Sequence, residues 1–117
     1  MTATELRQLD AWIAENVMGN QQRKIRVTDG RKLVRYEFLK VGTNEICPEY
    51  TTDPAAAMEV LKKCCEAMAV NVEIWKAGNG EWVCRMVSGR NSRNCVGTAN
   101  TIELAICLFA KKLFTKD

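Results

Sequence analysis

The spacing of apolar residues near the amino terminus predicts an amphipathic helix over residues 3–18. Thr2 and Glu5 have the separation of a capping box, in which each side chain accepts a hydrogen bond from the other residue's backbone amide. Gly19 follows at a position where glycine commonly ends a helix. The apolar residues repeat at intervals of three and four and define a single stripe: Leu6, Leu9, Ile13 and Val17.

Two further helices are predicted, one in the middle and one at the end of the chain. Asp53 is a favourable N-cap, and Pro54 suits the first helical position because its missing amide hydrogen would be unpaired there. The last helix is predicted over residues 101–114, where Asn100 and Glu103 again have capping-box spacing. It is apolar on nearly all sides, which is typical of a helix buried between layers or at a subunit contact.

Alternation of polar and apolar residues predicts two β-hairpins between the helices. The first joins residues 24–28 to residues 32–39 through Asp29-Gly30, a pair that tolerates the positive φ angles of a tight turn. The second joins residues 71–76 to residues 81–87, with Asn79-Gly80 in its turn. Strands joined in this way are antiparallel.

The order of elements is therefore helix, hairpin, helix, hairpin, helix. It predicts an α+β fold in which an antiparallel sheet of two hairpins carries three helices on its faces, a layered α/β sandwich. Residues 42–52 and 88–100 are predicted loops, the second with room for a short strand at residues 94–96. A chain of 117 residues without an internal linker forms one domain, residues 1–117.

Composition excludes several kinds of chemistry. The chain has no histidine, so a nucleophile activated by histidine is excluded. Its six cysteines never have C-x-x-C spacing, so we expect buried, reduced thiols and no metal site. No apolar run is long enough to cross a membrane, and the first residues lack the pattern of a signal peptide. A net charge of +3 permits an anionic partner without requiring one.

Three segments together resemble the phage ABA sandwich family of small phage and prophage proteins. They are Pro48-Glu49-Tyr50-Thr51-Thr52-Asp53, which runs into the middle helix, Thr101-Ile102-Glu103-Leu104-Ala105-Ile106-Cys107 in the last helix, and Val17-Met18-Gly19 at the end of the first. The family often has serine where Thr51 stands. The family name implies helices on both faces of a sheet, in agreement with the predicted order of elements.

The resemblance implies a phage-encoded protein acting in the cytoplasm of an infected bacterium, and it supplies no catalytic mechanism. By analogy with compact phage proteins that sequester signals of host immunity, we expect a non-enzymatic protein. Its ligand would be a small phosphorylated nucleotide of cyclic dinucleotide or ADP-ribose type. We expect a homo-oligomer without cofactor. The alternatives are a module that inhibits a host protein and a basic protein that binds nucleic acid.

The start of the middle helix is the first candidate binding site. Unpaired backbone amides at a helix amino terminus favour an anion. Thr51 and Thr52 add hydroxyl groups for a phosphate, and Tyr50 adds a ring on which a base can stack. The alternative is structural: Thr52 or Asp53 caps the helix and Tyr50 packs against the turn.

The polar loop before the last helix is the second candidate. Arg90 and Arg93 could close over phosphates, because guanidinium groups bind phosphate oxygens in a forked geometry. Asn91 could recognise the edge of a base. The alternative is a solvated connection without a ligand.

Basic and aromatic residues outside these two segments allow both a functional and a structural explanation. A basic run in the first hairpin could follow a nucleic-acid backbone or simply protect exposed strands from aggregation: Arg23, Lys24, Arg26, Arg31, Lys32 and Arg35. Four aromatic residues could stack on bases or pack in the core: Trp12, Tyr36, Trp75 and Trp82. Trp75 and Trp82 are candidates for cross-strand neighbours.

Overall fold

A computed structural model describes residues 1–68, 71–88 and 95–115. The three helices in this part of the chain are α1 (Ala3–Asn16), α2 (Pro54–Met68) and α3 (Ile102–Phe114). The strands are β1 (Gln22–Asp29), β2 (Lys32–Lys40), β3 (Asn71–Lys76), β4 (Trp82–Ser88) and β5 (Val96–Ala99). The predicted α+β class is confirmed, with three helices and antiparallel sheets in the expected order.

The strands form two separate sheets where one was expected. β1 pairs with β2 alone, and a second sheet has the order β3-β4-β5. The additional strand, β5, begins two residues later than the short strand envisaged at residues 94–96 and pairs with β4 from Trp82 opposite Ala99 to Arg85 opposite Val96. β5 occupies the free edge of β4. The first hairpin therefore cannot pair with β4 to form one sheet with the second hairpin.

All three helices pack with the second sheet around one main core. α1 contributes Ile13, α2 contributes Val60, and α3 contributes Ile106 and Phe109, each with almost no exposed surface. The cysteines behave as small apolar residues, because all but the half-buried Cys65 are buried and every one is a free thiol. Burial also raises the pKa of the Cys64 and Cys84 thiols to about 12, which keeps them protonated near neutral pH.

Local signals at the helix ends are mostly confirmed. Thr2 and Glu5 form the predicted capping box, and the Asp53 carboxylate accepts a hydrogen bond from the Ala55 amide at 3.1 Å. The predicted cap of α3 is wrong by one residue, since the Thr101 hydroxyl accepts from the Leu104 amide at 3.3 Å. Asn100 precedes this cap and lies directly after β5, whose pairing sets where the chain turns into the helix.

The hairpin formed by β1 and β2, called the basic hairpin below, is the less buried of the two sheets. No residue in either strand is buried, and the hairpin packs mainly on α1. The described chain is 51 Å long, with a radius of gyration of 15.2 Å against about 13 Å for a compact domain of this length. Because none of its strand residues is buried, the basic hairpin is not held in place by a core of its own.

Gly97 marks the closest approach of β5 to α3. A Cβ at this position would lie 3.0 Å from the Phe109 Cα, and closer still to the Ala105 carbonyl oxygen and the Phe109 amide nitrogen. All three atoms belong to the helix backbone, which cannot move aside as a flexible side chain can. Only glycine lets this strand and this helix pack at the observed distance.

We expect Gly97→Ala to lower the free energy of unfolding by about 3 kcal/mol, because the added methyl group must push β5 away from α3. Gly78→Ala is the matched control, since no atom lies within 4 Å of a Cβ there and its φ is not positive. The control should change stability by less than about 0.5 kcal/mol. Urea denaturation of both variants measures the difference, and equal midpoints would contradict the packing argument.

Candidate functional site

The structure buries two of the three residues predicted to bind a ligand at the start of α2. Tyr50 is 4% exposed and Thr51 is 2% exposed, whereas Thr52 is exposed. Tyr50 therefore has no open ring face on which a base could stack, and burial raises its pKa to about 12. Burial does not fit the predicted ligand contacts of Tyr50 and Thr51, and the cap formed by Asp53 supports the structural alternative for this segment.

The three predicted site residues of the polar loop, Arg90, Asn91 and Arg93, lie outside the described residues. Their proposed contacts with phosphate and base stay predictions. The flanking strand β4 ends at Ser88, and β5 begins at Val96.

A buried ionic cluster explains why Thr51 is inaccessible. The Asp10 carboxylate on α1 is 1% exposed and accepts a hydrogen bond from the Thr51 backbone amide at 2.8 Å. The Thr51 amide, which lies just before the helix cap Asp53, is thus bound by a carboxylate of the protein. The Thr51 hydroxyl is buried without a hydrogen bond to any described residue, although its proximity lowers the pKa of Asp10.

Arg7 lies at the centre of this cluster and uses its whole guanidinium group. It donates to the Asp10 carboxylate at 2.7 Å, to the Glu37 carboxylate of β2 at 2.5 Å and 3.1 Å, and to the backbone carbonyls of Cys47 and Pro48 at 2.8 Å and 3.3 Å. A guanidinium has five N–H donors, so none is left over. One side chain thereby joins α1, the basic hairpin and the loop that leads to α2.

Burial and hydrogen bonds shift the pKa of each member of the cluster in opposite directions, and the stronger of the two effects differs between members. Burial raises the pKa of Asp10, and the hydrogen bonds from Thr51 and Arg7 offset this only in part, so the pKa stays above its ordinary value. Burial also acts to raise the pKa of Glu37, but the Arg7 hydrogen bonds and the Phe38 amide outweigh it, so the pKa is lowered. Burial acts to lower the pKa of Arg7, yet its bonds to both carboxylates leave the pKa raised.

A cavity of about 90 Å³ opens beside this cluster, between α1 and the basic hairpin; we call it the hairpin cavity. Its lining comes from both elements: Ala3, Thr4, Arg7 and Gln8 on α1, and Lys24, Arg35, Tyr36 and Phe38 on the hairpin. Phe38 also packs against the main core. The cavity thus has an apolar floor next to hydroxyl, amide and cationic groups.

The cations of the hairpin cavity differ in their freedom to bind a ligand. Arg7 is fully engaged by protein groups, whereas Arg35 is exposed and forms no ion pair or hydrogen bond with a described residue. The Lys24 ammonium lies 4.1 Å from the centre of the Tyr36 ring, and that ring is 39% exposed. The mouth of the cavity therefore carries two cations and a half-exposed aromatic ring, one face of which the Lys24 ammonium covers.

The wider basic run surrounds this site. All six cations predicted from the sequence, Arg23, Lys24, Arg26, Arg31, Lys32 and Arg35, are exposed. Of the carboxylates on the two strands, Asp29 is exposed at the turn and Glu37 is engaged by Arg7. The surface of the basic hairpin consequently attracts anions over its whole length.

The aromatic residues divide between the core and the surface. Trp12 and Trp82 pack partly buried against the main core, whereas Tyr36 and Trp75 are exposed. The expected cross-strand pairing of Trp75 with Trp82 is wrong, since Trp75 lies opposite Val83 and Trp82 lies opposite Lys76. Trp75 and Trp82 therefore point to opposite faces of the sheet.

Part of the ionic cluster has a signal in the sequence, on the first helix. Arg7 and Asp10 are separated by three residues, the spacing of a side-chain pair on a helix. Asp10 also lies next to Leu9 and close to Ile13 in the apolar stripe, which points to a buried charge. Glu37 carries no such signal, because its pairing with Arg7 depends on how the hairpin docks.

Other types of site find no support in the described part of the chain. No group of three or more cysteine, aspartate and glutamate side chains there is arranged to hold a metal ion. None of its helices combines the length and apolar character needed to cross a membrane.

The fold defines a class of small α+β proteins in which helices and antiparallel sheets form layers. The family model of the phage ABA sandwich domain matches residues 11–110, and the chain therefore belongs to the phage ABA sandwich family. Neither the curated proteins nor the solved structures contain a match to the chain. The family membership suggested by the three sequence segments is confirmed.

We expect Arg7→Ala to lower the free energy of unfolding by about 3 kcal/mol, because it leaves the Asp10 carboxylate buried without its cation. Arg23→Ala removes the same side chain from an exposed position, where its one hydrogen bond to a described residue is to the Thr43 carbonyl at 3.5 Å. This control should cost less than about 1 kcal/mol. Chemical denaturation measures both variants, and a similar loss in each would show that Arg7 has no special structural role.

The pH dependence of stability should distinguish the two carboxylates. Because the folded protein lowers the pKa of Glu37, its contribution is complete above the ordinary value of 4.5 and is lost as the pH falls through the lower folded value. The raised pKa of Asp10 acts in the opposite direction, since the folded protein holds this proton more tightly. Glu37→Gln should therefore make the acid-side loss of stability less steep.

Asp10→Asn is the counterpart in this experiment, and it should make the acid-side loss steeper because the opposing contribution disappears. Thermal melting between neutral and acidic pH measures all three proteins. Parallel stability profiles for wild type and Glu37→Gln would contradict the assigned pKa direction.

Proposed function

We propose that this phage ABA sandwich protein is a non-enzymatic binding protein that sequesters a small phosphorylated nucleotide, of cyclic dinucleotide or ADP-ribose type, in the cytoplasm of an infected bacterium. The observation that carries the proposal is the hairpin cavity, with exposed Lys24, Arg35 and Tyr36 around its mouth. The binding site is thus shifted from the start of α2 to the contact between α1 and the basic hairpin.

The chemistry of the cavity mouth suits a phosphorylated nucleotide. Arg35 offers a forked guanidinium and Lys24 a compact ammonium, the two side chains that bind phosphate oxygens most effectively. The Tyr36 ring supplies a face on which a base can stack, an interaction worth about 1–3 kcal/mol per base in nucleic-acid complexes. Thr4 and Gln8 add polar groups from α1 that can orient the ligand.

The size of the cavity limits how such a ligand binds. At about 90 Å³ it is smaller than the roughly 300 Å³ at which pockets for whole small molecules begin. One group of the ligand would enter the cavity, and the remainder would lie along the exposed face of the basic hairpin. Arg90 and Arg93, which the sequence predicts to bind phosphate, would be a second source of positive charge. Their role is tested separately below.

A non-enzymatic role agrees with the residues around the cavity. Arg7 is saturated by protein acceptors, and Glu37 is held by Arg7 as its ion-pair partner. General acid–base catalysis requires a group that can reach the substrate and exchange a proton with it. The remaining polar groups of the lining are two cations, a phenol, a hydroxyl and a side-chain amide, all of which can bind and orient an anion.

Nucleic-acid binding is the second candidate function, favoured by the exposure of all six cations of the basic run. A phosphate backbone would contact the hairpin along its length, including the turn with Arg31 and Lys32, whereas a small nucleotide would contact only the end near α1. Nucleic-acid affinity would also fall steeply as salt is added.

We expect the melting temperature to rise by several degrees with at least one member of a panel of cyclic dinucleotides and ADP-ribose derivatives, because ligand binding stabilises the folded state. Lys24→Ala combined with Arg35→Ala should abolish the rise. The matched control, Arg31→Ala combined with Lys32→Ala, removes two cations from the same hairpin away from the cavity and should retain it. The ligand released from the complex should be chemically unchanged by mass spectrometry.

Three outcomes would contradict this proposal. Absence of a shift with every member of the panel would exclude sequestration of these ligands. Equal losses in the two double variants, together with tight and salt-sensitive binding to DNA or RNA, would favour the second candidate. Loss of the shift in Arg90→Ala combined with Arg93→Ala, with the cavity variant unaffected, would return the site to the polar loop.

A further inference from the structure

The second sheet has a face that no described helix or strand covers. Trp82, Cys84 and Met86 of β4 point inward and pack in or against the main core. Successive side chains of a strand point to opposite faces, so the residues between them point outward. This outer face comprises Glu73 and Trp75 of β3, Val83 and Arg85 of β4, and Val96 and Thr98 of β5, and Val87 adjoins it in the β-bulge between the Asn71–Ser88 and Val72–Met86 pairs.

Apolar and polar side chains share the outer face, since Trp75, Val83 and Val96 lie beside Glu73, Arg85 and Thr98. Trp75 is 36% exposed, and Val87 at the bulge is 56% exposed. Val83 is 8% exposed and does not belong to the main core. Exposed large apolar side chains near one another on a surface commonly mark an interaction site.

The charges on the outer face are paired and neutral in sum. Arg85 donates to the Glu73 carboxylate at 2.7 Å across the β3–β4 ladder, and both side chains are about half exposed. The Arg85 guanidinium also lies over the Trp75 ring, 5.1 Å from its centre. The ion pair is therefore held flat against the sheet, with Trp75 and the valines around it.

We propose that the outer face is the interface with a second copy of this chain, related by a two-fold axis that places Glu73 of one protomer against Arg85 of its partner. A two-fold interface brings a patch onto itself, so it needs a self-complementary charge pattern. One cation beside one anion meets this requirement, because a half-turn exchanges their positions. The six cations of the basic hairpin would repel their own copy in such a contact.

The neutral charge also argues against the other classes of partner. Nucleic acid and acidic proteins favour a cationic surface, which the molecule offers on the basic hairpin instead. A second copy would bury Trp75 and Val87, and sheets packed face to face place their side chains in contact at a separation of about 10 Å. Trp and Arg are the residues that most often dominate the energy of such contacts.

Sedimentation velocity over a wide range of protein concentration tests the proposal. Wild type should form a dimer, and Arg85→Glu and Glu73→Arg should each weaken it by about tenfold or more, because each variant places like charges opposite one another. An equimolar mixture of the two variants should recover a heterodimer, since the carboxylate introduced at position 85 of one variant then faces the guanidinium introduced at position 73 of the other. Lys63→Glu, a charge reversal on the exposed side of α2, should leave the dimer unchanged.

Circular dichroism should show that both interface variants remain folded, as expected for substitutions at half-exposed positions. A wild type that stays monomeric throughout would overturn the proposal. So would a dimer that neither variant weakens, since another surface would then hold it. Folded, monomeric variants whose mixture stays monomeric would overturn the proposed pairing of Glu73 with Arg85. The outer face lies on a different sheet from the hairpin cavity, so these outcomes are independent of ligand binding.

Discussion

The hydrogen bonds of Arg7 are the interaction that fixes the arrangement of the fold. The basic hairpin buries none of its strand residues and pairs with no other strand of the described chain, so apolar packing alone holds it weakly. Arg7 joins it to α1 through Glu37 and joins α1 to the loop before α2 through Asp10. A buried ionic cluster adds little net stability over apolar packing, but its directional bonds specify one orientation. The hairpin cavity exists because that orientation is fixed.

The same cluster makes the start of α2 a poor binding site and favours a site on the basic hairpin. The first turn of α2 is capped by Asp53, and Asp10 binds the Thr51 amide in the loop just before it, so carboxylates of the protein already occupy this segment. Six exposed cations are grouped on the basic hairpin, where Lys24 and Arg35 adjoin a cavity and an exposed tyrosine ring. Membership of the phage ABA sandwich family is consistent with this layout, and it assigns no ligand to it. The two sheets thus offer different surfaces, one strongly cationic and one partly apolar with balanced charge.

Predictions from the sequence succeeded where the determining interaction is local. The capping box of Thr2 and Glu5 and the turn at Asp29-Gly30 each depend on residues within a few positions of one another. Predictions from the sequence failed where contacts between distant segments determine the structure. Thr101, not Asn100, caps α3 because the pairing of β5 decides where the strand ends. β5 itself lies in a segment whose polar, turn-rich composition favours a loop.

Patterns along the chain were enough to predict the class of fold, the order of its helices and hairpins, the family and the basic character of the first hairpin. They were enough because periodicity, caps, turns and charge are properties of neighbouring residues. Three-dimensional packing was needed to establish that the hairpins form separate sheets, that Tyr50 and Thr51 are buried, and that Arg7 meets Glu37 thirty residues away. Those outcomes depend on how elements dock, where burial and charge pairing between remote residues outweigh any preference encoded along the chain.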